Sequence, residues 1–538
     1  MSEALQSVPA SSAEDNAGQR LAPAPLSWWR RIDWRFLLPA DIQSAGYVGA
    51  VAPEELRVLR ESGVRVDTSP AQDGQLEAVL VSVPENECVG AAAAAVCSGG
   101  WVLLRLGTAR DRPWSRLGAG SVRTWERRLQ AEGISPVGAY WHAPEEQRCS
   151  FIVDLADRRA VATLLRRYHG VRLGLLKSLV ARAINRAGLG RVLARDVTLI
   201  GQRPADLSRT ADAPSDLSKS GRLFVTPWFE ASRHVVCLYL DPSTGELEAV
   251  AKLPRRSSDV SGINHEAAVL RDLARRTTDL AERVPSVREL AGGTRPYLLE
   301  TALRGAAAGP EVVRAETGTL LNAGLQFIQS LPETGTTTTA SSWFPELLER
   351  PLQAVRGLLP GQENESLPAQ TLALLEVLRP ARMPLVFEHG DLSHPNLLLT
   401  PDGQLGAIDW ERSHVRGLPV HDLGFFLQYV SESSRRAFEP AAQLRAFDDA
   451  FTGSDAWAGP WLRRYAAGLG IDEQLLPALI LATFARSSAG LLARLRPDSF
   501  RGGCSSGMSD SDLTAAFAVD RDFLLWRHAI HRFNRLLQ

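Results

Sequence analysis

Between Leu385 and Glu411 an apolar strand, Leu385-Val386-Phe387, runs into the polar loop Glu388-His389-Gly390-Asp391-Leu392-Ser393-His394-Pro395-Asn396. Two further apolar runs, Leu397-Leu398-Leu399 and Gly406-Ala407-Ile408, then deliver Asp409-Trp410-Glu411. Strands that end on polar residues carry them to a common sheet edge, so Asp391, Asn396 and Asp409 are expected to converge. Two carboxylates and a carboxamide suit phosphoryl transfer. That reaction needs a carboxylate beside the attacking hydroxyl, and oxygen ligands for magnesium from other groups.

His389-Gly390-Asp391, four residues, then Asn396, and later Ile408-Asp409-Trp410-Glu411, resemble the signature of the aminoglycoside phosphotransferase and choline kinase-like family, small-molecule relatives of the protein kinases. The resemblance covers about residues 221–538 and implies a bilobal α+β kinase-like fold, with an N-lobe over 221–305 and a helical C-lobe over 306–538. It also implies ATP and Mg2+ as cofactors and a small-molecule hydroxyl as acceptor. By position, Asp391 would be the catalytic base or the carboxylate that orients the substrate, and Asn396 and Asp409 the magnesium ligands. Glu411 is a secondary candidate near metal or substrate, His389 braces the loop, and Asp422 packs beneath it.

Upstream, Arg222–Val225, His234–Asp241 and Leu247–Leu253 read as strands, with Asp241-Pro242-Ser243-Thr244-Gly245 as the turn between the last two. Composition now matters, because of 60 cationic residues only Lys177, Lys219 and Lys252 are lysines, leaving 57 arginines. Lys252 ends Ala249-Val250-Ala251-Lys252, which is similar to the kinase strand whose ammonium holds the α- and β-phosphates. Glu266, in the helix opened by Ser261-Gly262-Ile263-Asn264-His265, is its expected partner. Arg295–Thr301, with Glu300, looks like the strand entering the hinge that binds adenine. The segment Thr226–Arg233 departs from the kinase pattern, since it has no glycine to cover phosphates.

The front of the chain alternates strands with helical patterns, as in a parallel sheet with crossover helices. Strands are expected at Ala45–Val51, Gly63–Asp67, Glu77–Val83, Trp101–Leu106, Pro136–Trp141 and Asp196–Gly201, with helices at Pro53–Ser62, Glu87–Cys97 and Val122–Glu132. This order, with the Gly99-Gly100-Trp101-Val102-Leu103-Leu104 step, resembles a class I S-adenosylmethionine (SAM)-dependent methyltransferase, which implies a reduced Rossmann-like α/β domain over 28–203. Only Gly46 and Gly49 stand near the first turn. Asp67 sits where a ribose-binding carboxylate would, but some ten residues separate it from the next apolar strand. A scaffold without cofactor is therefore favoured over a SAM-binding unit. Residues 1–27 read as a disordered tail and 204–220 as a linker. Leu175–Arg195 reads as a basic amphipathic helix whose charged face is solvated.

A net charge of -1 removes the positive footprint of a nucleic-acid binder. Five scattered cysteines without a C-x-x-C pair fit a reducing compartment, and no apolar leader or uninterrupted span is present, so a cytoplasmic protein without a transmembrane segment is expected. The rear half reads as long helices, among them Phe344–Gly357, Gln370–Leu378, Ser433–Phe451, Glu473–Leu495 and Leu513–Leu537. Glu432, Asp448, Asp449 and Asp455 are the acids available to a cationic acceptor, although a solvated helix face accounts for them equally. The expected function is transfer of the ATP γ-phosphoryl to a sugar, aminoglycoside-like compound, amino alcohol or other metabolite. The alternatives are a pseudokinase scaffold and a bifunctional methyltransferase-kinase.

Overall fold

The computed structural model describes residues 26–69, 73–82, 85–107, 119–143, 149–172, 194, 196–205, 220–226, 232–338, 343–496 and 509–538. The basic helix expected over 175–195, most of the 204–220 linker and nearly all of the 1–27 tail lie outside them.

Strands β1 (Ser44–Val48), β2 (Arg65–Asp67), β3 (Leu76–Val81) and β4 (Val96–Leu106) are parallel neighbours in the order β2-β1-β3-β4. Covered on both faces, β3 is the near-continuous apolar run that a buried parallel strand requires. The helix Pro53–Glu61 links β1 to β2, with Pro53 in its first turn and Glu54 and Glu55 at its positive end. Next come β5 (Ser135–Ala143), β6 (Phe151–Asp154) and β7 (Asp196–Gln202), with β7 inserted antiparallel between β4 and β5.

β6 pairs with β5 on one side and with β8 (Gly221–Val225) on the other. β8 then continues through β9 (His234–Leu240), β10 (Leu247–Pro254), β11 (Val287–Ala291) and β12 (Tyr297–Thr301), in the spatial order β8-β9-β10-β12-β11. One sheet of 12 strands thus runs from the front of the chain into the region expected to be a separate lobe. The short strands β6 and β11 and the helix Arg158–Arg172 were not legible in the sequence. β6 has only four residues, and β11 sets two adjacent charges, Arg288 and Glu289, between apolar residues on a half-exposed edge, so it shows no alternation.

A second tie crosses the same seam. Asp33, in the helical turn Arg30–Leu37, receives a bidentate pair from Arg255 at 2.9 and 2.7 Å, and both groups are buried. Arg35 donates to the Arg255 carbonyl, and Arg295 bonds Asp41 at 3.0 Å.

Behind the sheet, β13 (Ala306–Ala307), β16 (Leu397–Leu399) and β17 (Leu405–Ala407) form one small sheet. β14 (Glu333–Thr338), β15 (Met383–Glu388) and β18 (His414–Gly417) form another. Helices pack around them. The expected helix 433–451 is two, His421–Arg435 and Pro440–Phe451, because Arg436 turns left-handed at φ 53° and Pro440 can only start a helix. The expected helix 513–537 likewise splits into Asp510–Val519 and Arg521–Arg532, where Asp520 caps the second through the Phe523 amide at 2.8 Å. Glu473–Leu495 has a mean hydropathy of 1.6, long and apolar enough to cross a membrane, but 83% of that window is buried in the fold. It reads as a core helix, with Arg486 among its buried residues.

Asp33→Ala leaves the Arg255 guanidinium buried and unpaired, and is expected to cost about 3–5 kcal/mol. The shift of the urea unfolding midpoint measures it.

Candidate active site

β10 carries Lys252 into the interior, where only 7% of the residue is exposed. Its ammonium lies 2.7 and 2.6 Å from the two oxygens of Glu266 and 2.6 Å from Asp409 Oδ1. Glu266 comes from the helix Val260–Arg276, on the face where Ile263 and Ala267 pack against Leu298 of β12. The Glu266 carboxylate also accepts the Trp410 amide at 2.7 Å, so it binds the residue after Asp409 as well as the lysine. Burial alone would lower the Lys252 pKa, but Asp409 and Glu266 outweigh it and keep the ammonium charged. Burial likewise works to raise Asp409, and Lys252 overrides it, holding the carboxylate below its usual range. Asp409 adopts φ 69°, a left-handed conformation that few non-glycine residues take and that aspartate tolerates better than most, beside these contacts.

Antiparallel register sets Lys252 opposite Leu298 and Val250 opposite Glu300, so Lys252 and Glu300 occupy the same face of the sheet. The Glu300 side chain, expected only as part of the hinge strand, therefore joins the lysine cluster. It is 3% exposed, and its Oε1 has no hydrogen-bond partner. Burial raises its pKa to about 7 against the opposing pull of Lys252.

The loop after β15 is held from several sides. Asp422, at the start of the helix His421–Arg435, accepts the backbone amides of His389 at 2.7 Å and Gly390 at 2.9 Å. Its burial pushes its pKa to about 7. Gly390 sits at φ 80°, and a Cβ there would stand 2.3 Å from the Arg412 carbonyl, so only glycine fits. His389 Nε2 lies 3.0 Å from the Ile408 carbonyl, and its Nδ1 accepts the Asp391 amide at 3.2 Å. These partners assign the neutral Nε2–H tautomer, and burial lowers the His389 pKa in agreement. Asn396 closes the loop by donating to the Asp391 carbonyl at 3.1 Å, while its own carbonyl accepts the Ile408 amide at 2.9 Å. This last bond sets Asn396 beside the strand end that presents Asp409.

The structure thus brings together Lys252, Glu266, Glu300, His389, Asp391, Asn396, Asp409 and Asp422. Glu411 makes no ion pair with Lys252 but lies close enough for its charge to help hold that ammonium, with its buried Oε2 3.5 Å from His234 Nδ1 and without a hydrogen bond. Among the described residues no group of three or more His, Cys, Asp or Glu side chains forms a metal cage. The Asn396 amide oxygen and the Asp409 carboxylate are nevertheless hard oxygen donors of the kind Mg2+ takes when phosphate and water complete its shell.

Three contacts here were not anticipated. Arg412 places Nη1 3.3 Å from Asp391 Oδ2. Glu388, just ahead of the loop, receives both ends of Arg486 at 2.8 and 3.0 Å, and the Leu418 amide at 2.9 Å. Burial would raise Glu388, but Arg486 prevails and holds it down at about 2. Three of the acids considered for a cationic acceptor are already neutralised. Glu432 pairs with Arg521 at 2.9 Å, Asp448 with His528 at 2.8 Å and Arg532 at 3.1 Å, and Asp449 with Arg435 at 2.9 Å. Asp455 is exposed.

Residues 238–466 match the model of the phosphotransferase enzyme family, which bears out the resemblance read from the motif and gives this part a kinase-like fold of that type. Solved structures similar to the chain include the choline kinase LicA of Streptococcus pneumoniae, at 12% identity over 58% of this chain and 92% of that one, with a TM-score of 0.35. The aminoglycoside phosphotransferase APH(3'')-Id of Streptomyces rimosus matches at 19% identity over 51% and 95%, with a TM-score of 0.32. The latter protein has also been solved in complex with ADP and streptomycin. No curated protein sequence matches the chain.

The front of the chain lies outside the family match, and nothing supports SAM there. Glu55 is buried among the Trp34 indole at 3.1 Å, the Tyr47 hydroxyl at 2.7 Å and Arg105 at 3.0 and 2.5 Å. The ends of β1 and β4 thus meet in a satisfied side-chain network, and Asp67 turns to cap its own loop through the Ser69 amide at 2.8 Å.

A carboxyl raised to about 7 in the fold is neutral in both states at low pH, and its ionisation costs the folded protein increasingly as pH climbs to that value. Glu300→Gln removes this cost. It is expected to flatten the fall in melting temperature between about pH 5 and pH 8 and to leave the variant the more stable at the upper end.

Proposed function

We propose that the chain is a small-molecule kinase that transfers the γ-phosphoryl group of ATP to a hydroxyl acceptor. The observation that carries this reading is the meeting of the Lys252–Glu266–Asp409 triplet with Asn396 and Asp391, within the segment that matches a phosphotransferase family. Lys252, fixed by Glu266, holds the α- and β-phosphates with a compact ammonium. Asn396 and Asp409 would hold Mg2+, whose charge offsets that developing on the phosphoryl oxygens. Asp391 takes the proton of the acceptor hydroxyl as its oxygen bonds to the γ-phosphorus. The bond from that phosphorus to the bridging oxygen breaks, and ADP leaves with the electron pair. His389, Asp422 and Gly390 place Asp391 through the backbone. Positioning and electrostatics are the main sources of rate in such a site.

Asp391→Asn is expected to lower kcat about 10²–10⁴-fold while leaving Mg·ATP affinity near that of the unmodified protein. Asp409→Ala is expected to abolish the magnesium dependence of ATP binding, read by thermal shift. An unmodified protein that gives no magnesium-dependent shift with ATP overturns the kinase reading in favour of a pseudokinase. The glycine-free segment Thr226–Arg233 is the feature that favours this second reading.

For the front of the chain we propose a reduced Rossmann-like scaffold without cofactor. The parallel order β2-β1-β3-β4, with β7 antiparallel between β4 and β5, supports the sheet type. The closed Glu55 network supports the absence of a cofactor site. Titration of the full chain with SAM is expected to give no binding heat, and saturable binding would overturn this assignment.

A further inference from the structure

The surroundings of Asp391 are cationic in a way the motif does not require. Arg412 follows three residues after Asp409, and its Nη1 rests on Asp391. Its Nη2 lies 3.2 Å from where a Gly490 Cβ would be, so the guanidinium is seated close against the helix Leu476–Leu495 at its glycine. Gly490 falls between Arg486 and Arg494 at four-residue steps, which puts all three on one helix face. Arg486 is consumed by Glu388. Arg494 is not consumed. Its Nε is buried without a hydrogen-bond partner, and the charges that act on it are those of Arg412, Asp522, Asp520 and Asp391. Asp522 and Asp520 offset part of this charge through space, while their hydrogen bonds go to Arg521, which Asp522 shares with Glu432, at 2.8 Å and to the Phe523 amide at 2.8 Å. The acids that would greet a cation are likewise tied to arginine or histidine, apart from the exposed Asp455.

We propose that the acceptor carries an anionic group, a carboxylate or a phosphate, and that Arg412 and Arg494 hold it beside Asp391. The inference rests on the kinase reading above and specifies its acceptor. A guanidinium fork matches either anion with paired hydrogen bonds. Arg412 pairs with the carboxylate that must accept the hydroxyl proton. An acceptor anion draws Arg412 away and frees Asp391 only when an acceptor is there to react, which limits transfer of the phosphoryl group to water.

The test measures magnesium-dependent ADP release by the full chain with three sets of hydroxylated probes. These are D-glycerate and glucose 6-phosphate as anions, glycerol and glucose as neutral compounds, and choline and streptomycin as cations. Turnover or saturable millimolar binding is expected with an anionic probe alone. Arg494→Gln is expected to raise KM for that probe about tenfold or more, with kcat falling by a smaller factor, and Arg494→Lys to recover part of the loss. A structural role for Arg494 would instead lower the melting temperature and leave KM in place. Turnover of a cationic probe, an anionic KM indifferent to Arg494→Gln, or Mg·ATP binding without response to any anion overturns the inference. Failure of the unmodified protein to bind Mg·ATP overturns the kinase reading itself.

Discussion

A single ammonium organises the cleft. Removing a charge from water costs several kcal/mol, and the fold bears that cost for Lys252 only because Glu266 and Asp409 meet it at hydrogen-bonding distance. The lysine and its two partners come from three parts of the chain: the sheet, the helix behind it and the loop after β17. The same contact that satisfies the lysine therefore fixes where the helix Val260–Arg276 lies and where Asp409 projects. Arginine cannot substitute, because its planar fork does not offer one compact charge to converging carboxylates. Glu300, on the same sheet face with an unpartnered oxygen, is the excess acid of this arrangement.

The loop 388–396 is positioned from beneath by backbone contacts more than by its own side chains. Asp422 takes two consecutive amides, Gly390 passes under the Arg412 carbonyl, and Asn396 bonds main chain at both of its ends. Glu388 and Arg486 tie the start of the loop to the longest apolar helix of the C-terminal part. Strain at Asp409 and the left-handed turn at Gly390 persist because so many neighbours determine them.

Much of this site was legible in the sequence because its residues are rare or closely spaced. Lys252 stood out among 57 arginines, and Asp391, Asn396 and Asp409 sit in one short motif flanked by apolar strands. Arg412, Arg486 and Arg494 were hidden for the opposite reason, since arginine is everywhere in this chain and Arg486 meets Glu388 across 98 residues. Glu300 was expected in the hinge strand, but the direction of its side chain follows from a β-register that one strand does not reveal. The front strands were found through their apolar runs. The seam at β6 was missed because four residues carry too little periodicity to declare a strand. The helix breaks at Arg436 and Asp520 depend on local backbone geometry that apolar spacing does not record.

That seam changes what closing the cleft means mechanically. In a fold of this type the strands that carry the lysine would ordinarily form a small lobe of their own. Here the β6–β8 ladder and the Asp33–Arg255 pair join those strands to the front of the chain. The lysine strand belongs to a 12-stranded body. A bend imposed at the far edge of that body would reach Lys252 as a twist of the strand that bears it, since β6 and β8 are hydrogen-bonded neighbours.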